Sequence, residues 1–221
     1  MTVHIDAYGD SVNQYGEELC GDRMEILRDR TGATAILVNG GGGGAKANLQ
    51  ASVTLKMIVT MAERGEPIGD IAEMMAETQP RDQKEDSPGT SFTMIQANYD
   101  GTVCTTQVET PEIILLQRGK PVEMKIRKKL RQGRLIRTGQ LASREADTII
   151  AVSSGMLRAG AQRSVESGWK LDHIATFMEH AYHSQITAEK LVRLLLTASS
   201  SLSHGKPEKD FSALAFRMNR Q

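Results

Sequence analysis

The feature that most constrains this sequence is a change of hydrophobic period near its middle. Between residues 91 and 152, apolar and polar residues alternate in short runs, the pattern of half-buried β-strands. The predicted strands are Ser91–Ala97, Thr102–Val108, Ile113–Gln117, Val122–Ile126, Leu135–Thr138 and Thr148–Val152. Turn residues at Asp100-Gly101, Thr110-Pro111 and Arg118-Gly119 separate the first four strands and predict antiparallel hairpins.

The segments on either side of this block follow other patterns. Apolar residues recur there every three to four positions, which predicts helices, and β-branched runs predict additional strands. The helices are Ala45–Arg64, Ile68–Thr78, Ala161–Ser167, Leu171–Ala181 and Thr187–Ser203, and the strands are Val3–Tyr8, Met24–Arg28, Thr34–Val38 and Phe211–Met218. The polar segment Gln79–Gly89 is predicted to be a surface loop. Because no linker or repeat interrupts this order, we predict one α+β domain over residues 1–221, with antiparallel sheets covered by helices.

The composition disfavours several partners and compartments. Lysine and arginine number 27, as do aspartate and glutamate, so no net field favours nucleic acid or an anionic membrane. Cys20 and Cys104 suggest neither a disulfide framework nor a thiolate metal site. The N-terminus lacks a signal-peptide pattern, and no apolar run approaches the roughly 20 residues of a membrane span. We therefore expect a cytoplasmic protein that binds neither nucleic acid nor membranes, while its oligomeric state stays open.

One basic cluster stands out against this balanced charge. The segment Lys125–Arg137 contains seven cationic residues in thirteen positions. We predict a solvated loop there, and the alternative is a docking surface for an acidic partner.

Five consecutive glycines, Gly40–Gly44, lie between a predicted buried strand and a predicted helix. Backbone N–H groups at a helix N-terminus favour anions, so Gly41–Gly44 together with Lys46 form a candidate anion site. The segment lacks the Gly-Lys-Ser/Thr of a nucleotide-binding loop, and no acidic residue ends a following strand as dinucleotide sites require. The simpler interpretation is a tight strand-to-helix turn.

Four segments carry a resemblance to a known family. They are Gly16–Ile26, Val38–Asn48, Val152–Gly155 with Ala159-Gly160, and, more weakly, Gly205–Ser212. In order and spacing they resemble the sporulation-protein-E (SpoIIE) branch of the type 2C metal-dependent protein phosphatases. The resemblance spans nearly the whole chain and implies an α-β-β-α architecture, an antiparallel β-sandwich flanked by helices.

The family's activity, as the resemblance implies it, is hydrolysis of phosphoserine and phosphothreonine with two Mn²⁺ or Mg²⁺ ions. Hard dications prefer carboxylate oxygens, which also offset their charge. The resemblance places the direct carboxylate ligands at Asn39, Ser154 and Lys209, and a backbone carbonyl ligand at Gly40. Asp22 is retained at an early acidic position.

The three ligand positions have therefore changed from a formal charge of −3 to +1. At an effective dielectric constant near 20, one charge at 4 Å is worth about 4 kcal/mol, so we expect no bound metal ions and no intact catalytic residues. If the alignment is shifted by one residue, Asp210 replaces Lys209 as the ligand, whereas the acids at positions 39 and 154 are still lost.

Three functional hypotheses follow from these residues. The first is a pseudophosphatase, a regulatory or binding module for a protein partner such as a phosphoprotein. The alternative is a weakly active Mn²⁺- or Mg²⁺-dependent phosphoprotein phosphatase. The second alternative is a nucleotide- or anion-binding protein that uses the Gly40–Gly44 turn.

Other candidate sites are weaker. His180 and His183 are spaced for a metal pair but lack a third ligand. Asp22 and Glu25 lie three apart on a strand and so face opposite sides. Ser153 and Ser154 lack the G-x-S-x-G setting of a hydrolase nucleophile.

Overall fold

The structure is a computed structural model that describes residues 3–79, 89–161 and 168–220. It contains eleven strands and four α-helices within these ranges. In chain order they are β1 Val3–Val12, β2 Asp22–Arg28, β3 Gly32–Asn39, α1 Gly44–Glu63, α2 Ile68–Thr78, β4 Ser91–Asn98, β5 Thr102–Val108, β6 Ile114–Gln117, β7 Lys120–Val122, β8 Ile126–Arg131, β9 Arg134–Ala142, β10 Thr148–Val152, α3 Leu171–Ala181, α4 Ala188–Leu202 and β11 Phe211–Arg220.

The strands form two antiparallel sheets. The first sheet has the order β1-β11-β10-β6-β7, and the second has the order β2-β3-β4-β5-β9-β8. Apolar side chains from the facing surfaces of both sheets, among them Ile5, Phe216, Ala35 and Ile95, pack together as the central core. This confirms the predicted antiparallel β-sandwich.

Helices cover both outer faces of the sandwich. Helices α3 and α4 pack on the first sheet around Leu191, Leu195 and Phe211. Helices α1 and α2 pack on the second sheet around Ile58, Ile71 and other side chains. The result is the α-β-β-α layering that the resemblance implied. No helix in the described ranges is long and apolar enough to cross a membrane.

Most predicted elements are confirmed, and several agree to the residue. The fully buried β3 contains the apolar run Thr34–Val38, and α2 begins and ends where the pattern predicted. The Arg118-Gly119 turn joins β6 to β7 with positive φ at both residues, as a two-residue hairpin requires. The predicted helix Ala161–Ser167 and most of the predicted loop Gln79–Gly89 lie outside the described residues.

Three predictions were wrong in this part of the chain. The predicted strand Val122–Ile126 is divided between β7 and β8, which belong to different sheets. The basic cluster Lys125–Arg137 is mainly the β8–β9 hairpin and not a loop. The Thr110-Pro111 turn does not form a hairpin, because the chain crosses there from the second sheet to the first.

Ion pairs offset part of the charge on this basic strand. Strand β8 lies at an edge of its sheet, where charged side chains are tolerated and discourage pairing with other chains. Lys129 and Arg131 both pair with Glu73 of α2. Lys128 and Arg137 both lie within ion-pair distance of Glu112.

Arg134 is the largest fully buried side chain among the described residues, and it joins three segments beside the second sheet. Its Nε donates to the Glu109 carboxylate at 3.1 Å. Its two terminal nitrogens donate to the backbone oxygens of Gln79 and Thr90. These two oxygens lie at opposite ends of the segment 80–88, so one guanidinium fixes the end of α2 relative to the start of β4.

We predict that Arg134→Met lowers the free energy of unfolding by roughly 3–5 kcal/mol, because it leaves one carboxylate and two carbonyls without their buried donor. The control is Arg127→Met, an exposed arginine of the same hairpin, which should change stability by about 0.5 kcal/mol or less. Urea unfolding measures both values. Equal effects of the two substitutions would show that Arg134 is not a structural clamp.

Candidate functional site

A cleft with a volume of about 710 Å³ opens where the ends of both sheets meet. All six positions that the resemblance singled out line it: Asp22, Asn39, Gly40, Ser154, Lys209 and Asp210. Gly41 and Gly42 also line the cleft, whereas Gly43, Gly44 and Lys46 are not among its lining residues.

The strand pairing explains why these distant residues meet. Asp22 begins β2 and Asn39 ends β3, and the two are register partners. Ser154 follows the end of β10, and Asp210 precedes the start of β11, the strand beside β10. The cleft therefore brings together the ends of two antiparallel pairs, one from each sheet.

Asp210 is buried and holds the floor of the cleft together. Its Oδ1 accepts a hydrogen bond from the Gln14 N–H, and its Oδ2 accepts one from the Gly21 N–H, both at 2.9 Å. The carboxylate thus fixes both ends of the loop between β1 and β2. Each of its oxygens accepts one hydrogen bond from the protein's own backbone.

Asp22 is also buried, and its surroundings disfavour its charge. Burial raises the pKa of Asp22 to about 6, and the neighbouring Asp210 charge acts in the same direction. Hydrogen bonds from Ser212 and Asn39 partly offset this rise in the pKa. The Ser212 hydroxyl donates to Oδ2 of Asp22 at 2.7 Å.

Asn39 lines the cleft and leaves one buried acceptor unsatisfied. The residue is only 7% exposed. Its Oδ1 has no hydrogen-bond partner among the residues that the structure describes. A buried amide oxygen without a donor is costly, and because the atom itself is inaccessible from the cleft, this cost falls on the fold.

Glycines at the cleft allow backbone segments to approach closely. A Cβ on Gly155 would overlap the backbone oxygen of Asp210, and a Cβ on Gly40 would overlap the oxygens of Ala47 and Gly21. Gly42 has φ = +114°, which only glycine adopts readily. The glycine run is therefore at least partly a packing requirement.

Polar side chains of the β1–β2 loop lie against the start of α1. The Glu17 carboxylate lies against Gly44, and the Gln14 amide oxygen lies against Gly43. An exogenous anion at the first turn of α1 would therefore meet a carboxylate. The part of the glycine run that borders the cleft is Gly40–Gly42.

Two cationic side chains also line the cleft. Lys209 and Arg158 both line it, and both residues are exposed. Arg158 was missed from the sequence, because it falls between the matched segments Val152–Gly155 and Ala159-Gly160. Its position three residues after Gly155, in a short 3-10 turn, brings it back to the cleft.

Two divalent metal ions do not fit these residues. The buried acids are Asp22, whose charge is disfavoured, and Asp210, whose oxygens both accept backbone hydrogen bonds. The remaining side chains at the three ligand positions are an amide, a hydroxyl and an ammonium group. Across the described ranges, no group of three or more His, Cys, Asp or Glu residues is arranged to hold a metal ion.

The other candidate residues face solvent or form hydrogen bonds within the fold. His180 is exposed, and its Nδ1 lies 2.7 Å from the Thr176 backbone oxygen. Glu25 is exposed whereas Asp22 is buried, as opposite faces of a strand require. Ser153 is buried, and its hydroxyl joins the Asp210 carbonyl and the Ser212 N–H.

Solved structures match the fold. No protein-family model and no curated protein sequence matches this chain. The phosphatase domain of the cell fate determinant SpoIIE from Bacillus subtilis is 13% identical, with a TM-score of 0.72 over 100% of this chain and 94% of that one. RsbX in complex with magnesium is 13% identical, with a TM-score of 0.68 over 98% and 96% of the two chains. A structure from a study of the bacterial stressosome, described as a modular system adapted to control secondary messenger signaling, is 15% identical, with a TM-score of 0.65 over 97% and 100%. The chain therefore has a SpoIIE-like PP2C phosphatase fold.

The high pKa of Asp22 predicts a specific pH dependence of stability. A carboxyl group whose pKa is higher in the folded state adds stability that is complete below about pH 4 and is lost as the pH rises through about 6. Asp22→Asn removes this dependence. We expect the stability of the variant relative to the wild type to increase by about 2 kcal/mol between pH 4.5 and pH 7. Urea unfolding at both pH values measures the change, and parallel pH profiles would contradict the assignment.

Proposed function

We propose that this domain is a pseudophosphatase: a PP2C fold that acts as a regulatory or binding module for a protein partner and does not hydrolyse phosphate esters with two metal ions. The observation that carries this proposal is the charge distribution in the cleft. The two acids are buried and hydrogen-bonded, whereas the accessible side chains Lys209 and Arg158 are cationic.

The chemistry of the donors supports the loss of hydrolysis. A two-metal hydrolase needs carboxylates both to hold the ions and to offset four positive charges. Lys209 and Arg158 instead add positive charge to the same cleft. A dication placed here would meet two cations and would compete with backbone N–H groups for the oxygens of Asp210.

Lys209 and Asp210 have separate roles in this proposal. Lys209 is exposed in the cleft, while the neighbouring Asp210 is buried and holds the β1–β2 loop. This favours the alignment in which Lys209 replaces a metal ligand. Asp210 then serves as scaffold, because its carboxylate holds both ends of the β1–β2 loop.

A protein partner is the second part of the proposal. One of the similar structures comes from work on the bacterial stressosome, described as a system that controls secondary messenger signaling. A domain that keeps this fold without its metal chemistry suits a role in such signalling, in which it binds a component and does not dephosphorylate it. The equal numbers of acidic and basic residues disfavour nucleic acid as the partner.

Restoring the acids tests the metal part of the proposal. We expect the wild-type protein to show no Mn²⁺-stimulated hydrolysis of p-nitrophenyl phosphate. The triple variant Asn39→Asp/Ser154→Asp/Lys209→Asp should bind Mn²⁺ at least about tenfold more tightly, because three carboxylates replace one cation and two neutral groups. Isothermal titration calorimetry measures the affinity.

The control is Lys56→Asp, which reverses one charge on an exposed part of α1 outside the cleft and should leave Mn²⁺ affinity unchanged. Robust Mn²⁺-dependent turnover by the wild type would overturn the pseudophosphatase proposal. A folded triple variant that gains no Mn²⁺ affinity would contradict the assignment of Asn39, Ser154 and Lys209 as former ligand positions.

A further inference from the structure

We infer that the outer edge of β8 binds an extended acidic segment of a partner protein, which adds to the second sheet as a further strand. The inference goes beyond the proposed function, because no residue of β8 lines the cleft. Recognition of this partner therefore depends on β8 and not on the former metal positions.

The edges of the two sheets differ in how well they are protected. Among the described residues, the edge strands are β1, β7, β2 and β8. Strand β7 has three residues and contains Pro121, and both features oppose the addition of a strand. Strands β1 and β2 contact each other, and Arg28 of β2 donates to the Ile5 carbonyl of β1 at 3.2 Å. Strand β8 has six residues, and in the described part of the chain its backbone bonds only to β9.

The hairpin geometry identifies the free backbone groups of β8. The turn Gln132-Gly133 joins β8 to β9 with φ values of +46° and +75°. In such a two-residue hairpin the closing pair, Arg131 and Arg134, exchanges hydrogen bonds, and bonded pairs then alternate with non-bonded pairs. Lys128 and Leu130 fall in non-bonded pairs, so their N–H and C=O groups point away from the sheet. A further strand binds to groups of this kind.

The charge on β8 favours an acidic strand. Its sequence, Ile-Arg-Lys-Lys-Leu-Arg, has four cations and no acid. Glu73 pairs with two of these cations and Glu112 with a third, while Arg127 forms no ion pair with any described residue. Opposite charges on paired strands are favourable and like charges are unfavourable. The excess of positive charge therefore repels a second copy of β8 and attracts a strand rich in glutamate or aspartate.

On the helical side of β8, the surroundings also favour acidic side chains. A groove with a volume of about 610 Å³ is lined there by Lys125, Arg127 and the first residues of α2, Ile68 and Gly69. Helix α2 begins without a side-chain cap, so its first N–H groups add a positive potential. Asp70 of the same turn does not line the groove. Acidic side chains of an added strand are therefore best placed on this side.

On the other side of β8, the surroundings favour apolar side chains. A groove of about 500 Å³ lies between the edges of the two sheets, and Val122 and Ile126 are among its apolar lining residues. Its carboxylates, those of Glu112, Glu123 and Asp172, disfavour further acids. Because successive side chains of a strand point to opposite sides, the partner segment alternates acidic with apolar residues.

The test is a titration of the whole chain with a peptide of about ten residues that alternates glutamate and valine, long enough to span β8. The buffer contains EDTA at about 0.15 M ionic strength. One control peptide has the same residues with all glutamates in one block, and the other has proline in place of the central valines. We expect saturable binding of the alternating peptide, at least about tenfold tighter than that of either control.

Two substitutions of one residue test the backbone contact. Leu130→Pro removes an outward N–H and is compatible with an edge strand, so it should weaken peptide binding at least about fivefold. Leu130→Ala removes the exposed side chain but keeps the N–H, and should change the affinity by less than about twofold. Urea unfolding checks that both variants are folded.

A second pair of variants tests the charge. Arg127→Glu should weaken binding of the alternating peptide by roughly fivefold, because it places a carboxylate opposite the acidic strand. Lys56→Glu is the matched control, since Lys56 is an exposed residue of α1 that lines neither groove. This control should leave the affinity unchanged.

Several results would overturn the inference. They are equal binding of the alternating and proline peptides, equal effects of Leu130→Pro and Leu130→Ala, and equal effects of Arg127→Glu and Lys56→Glu. Binding of oligothymidylate as tight as that of the peptide would show that charge alone acts, and a wild-type dimer that Leu130→Pro abolishes would assign the edge to a second copy. Peptide binding in EDTA tests β8, whereas Mn²⁺-dependent turnover tests the proposed function separately.

Discussion

The carboxylate of Asp210 is the interaction on which the cleft depends. It accepts hydrogen bonds from two backbone N–H groups, those of Gln14 and Gly21, which lie far from it in sequence. Its own carbonyl oxygen accepts from the Ser153 hydroxyl. One residue thereby links the β1–β2 loop, the end of β10 and the start of β11. A buried carboxylate is stable only with such donors, and here the backbone supplies them.

Two consecutive residues, Lys209 and Asp210, have different roles at the cleft. Asp210 points into the protein and carries the scaffold interactions, whereas Lys209 is exposed in the cleft. A change of charge at position 209 therefore alters what the cleft attracts without removing a contact that holds it in shape. The close approach of Gly155 to the Asp210 backbone constrains the same wall independently of any ion.

Much of this fold could be predicted from the sequence, because hydrophobic period and turn residues are local signals. The run Thr34–Val38 and the Arg118-Gly119 turn were enough to place a buried strand and a hairpin. The crossing at Thr110-Pro111 could not be predicted, since turn residues do not specify which sheet the next strand joins. Strand β8 was missed because its charged sequence is tolerated at the edge of a sheet, where it pairs with β9 and lies beside Glu73 of a helix that is distant in sequence.

The candidate site, like the fold, could be predicted from the sequence only in part. The resemblance named six positions that line the cleft, but not which of their polar atoms form hydrogen bonds within the protein. The roles of Asp210 and Asp22 follow from contacts with Gln14, Gly21 and Ser212, none of which has a recognisable sequence signal. Arg158 was missed for a related reason, because its place at the cleft depends on the tight turn after β10.

Two buried arginines show that the fold is stabilised by charges away from the cleft. Arg134 donates to the backbone of Gln79 and Thr90 beside the second sheet, and Arg217 donates to the backbone of Ser184 and Ile186 beside the first. Each fixes connecting segments of one helical layer by satisfying carbonyls that would otherwise be buried without donors. Neither arginine lines the cleft, although Arg134 holds Thr90 between the lining residues Gly89 and Ser91. Buried guanidinium groups therefore fix the helical layers on both faces of the sandwich.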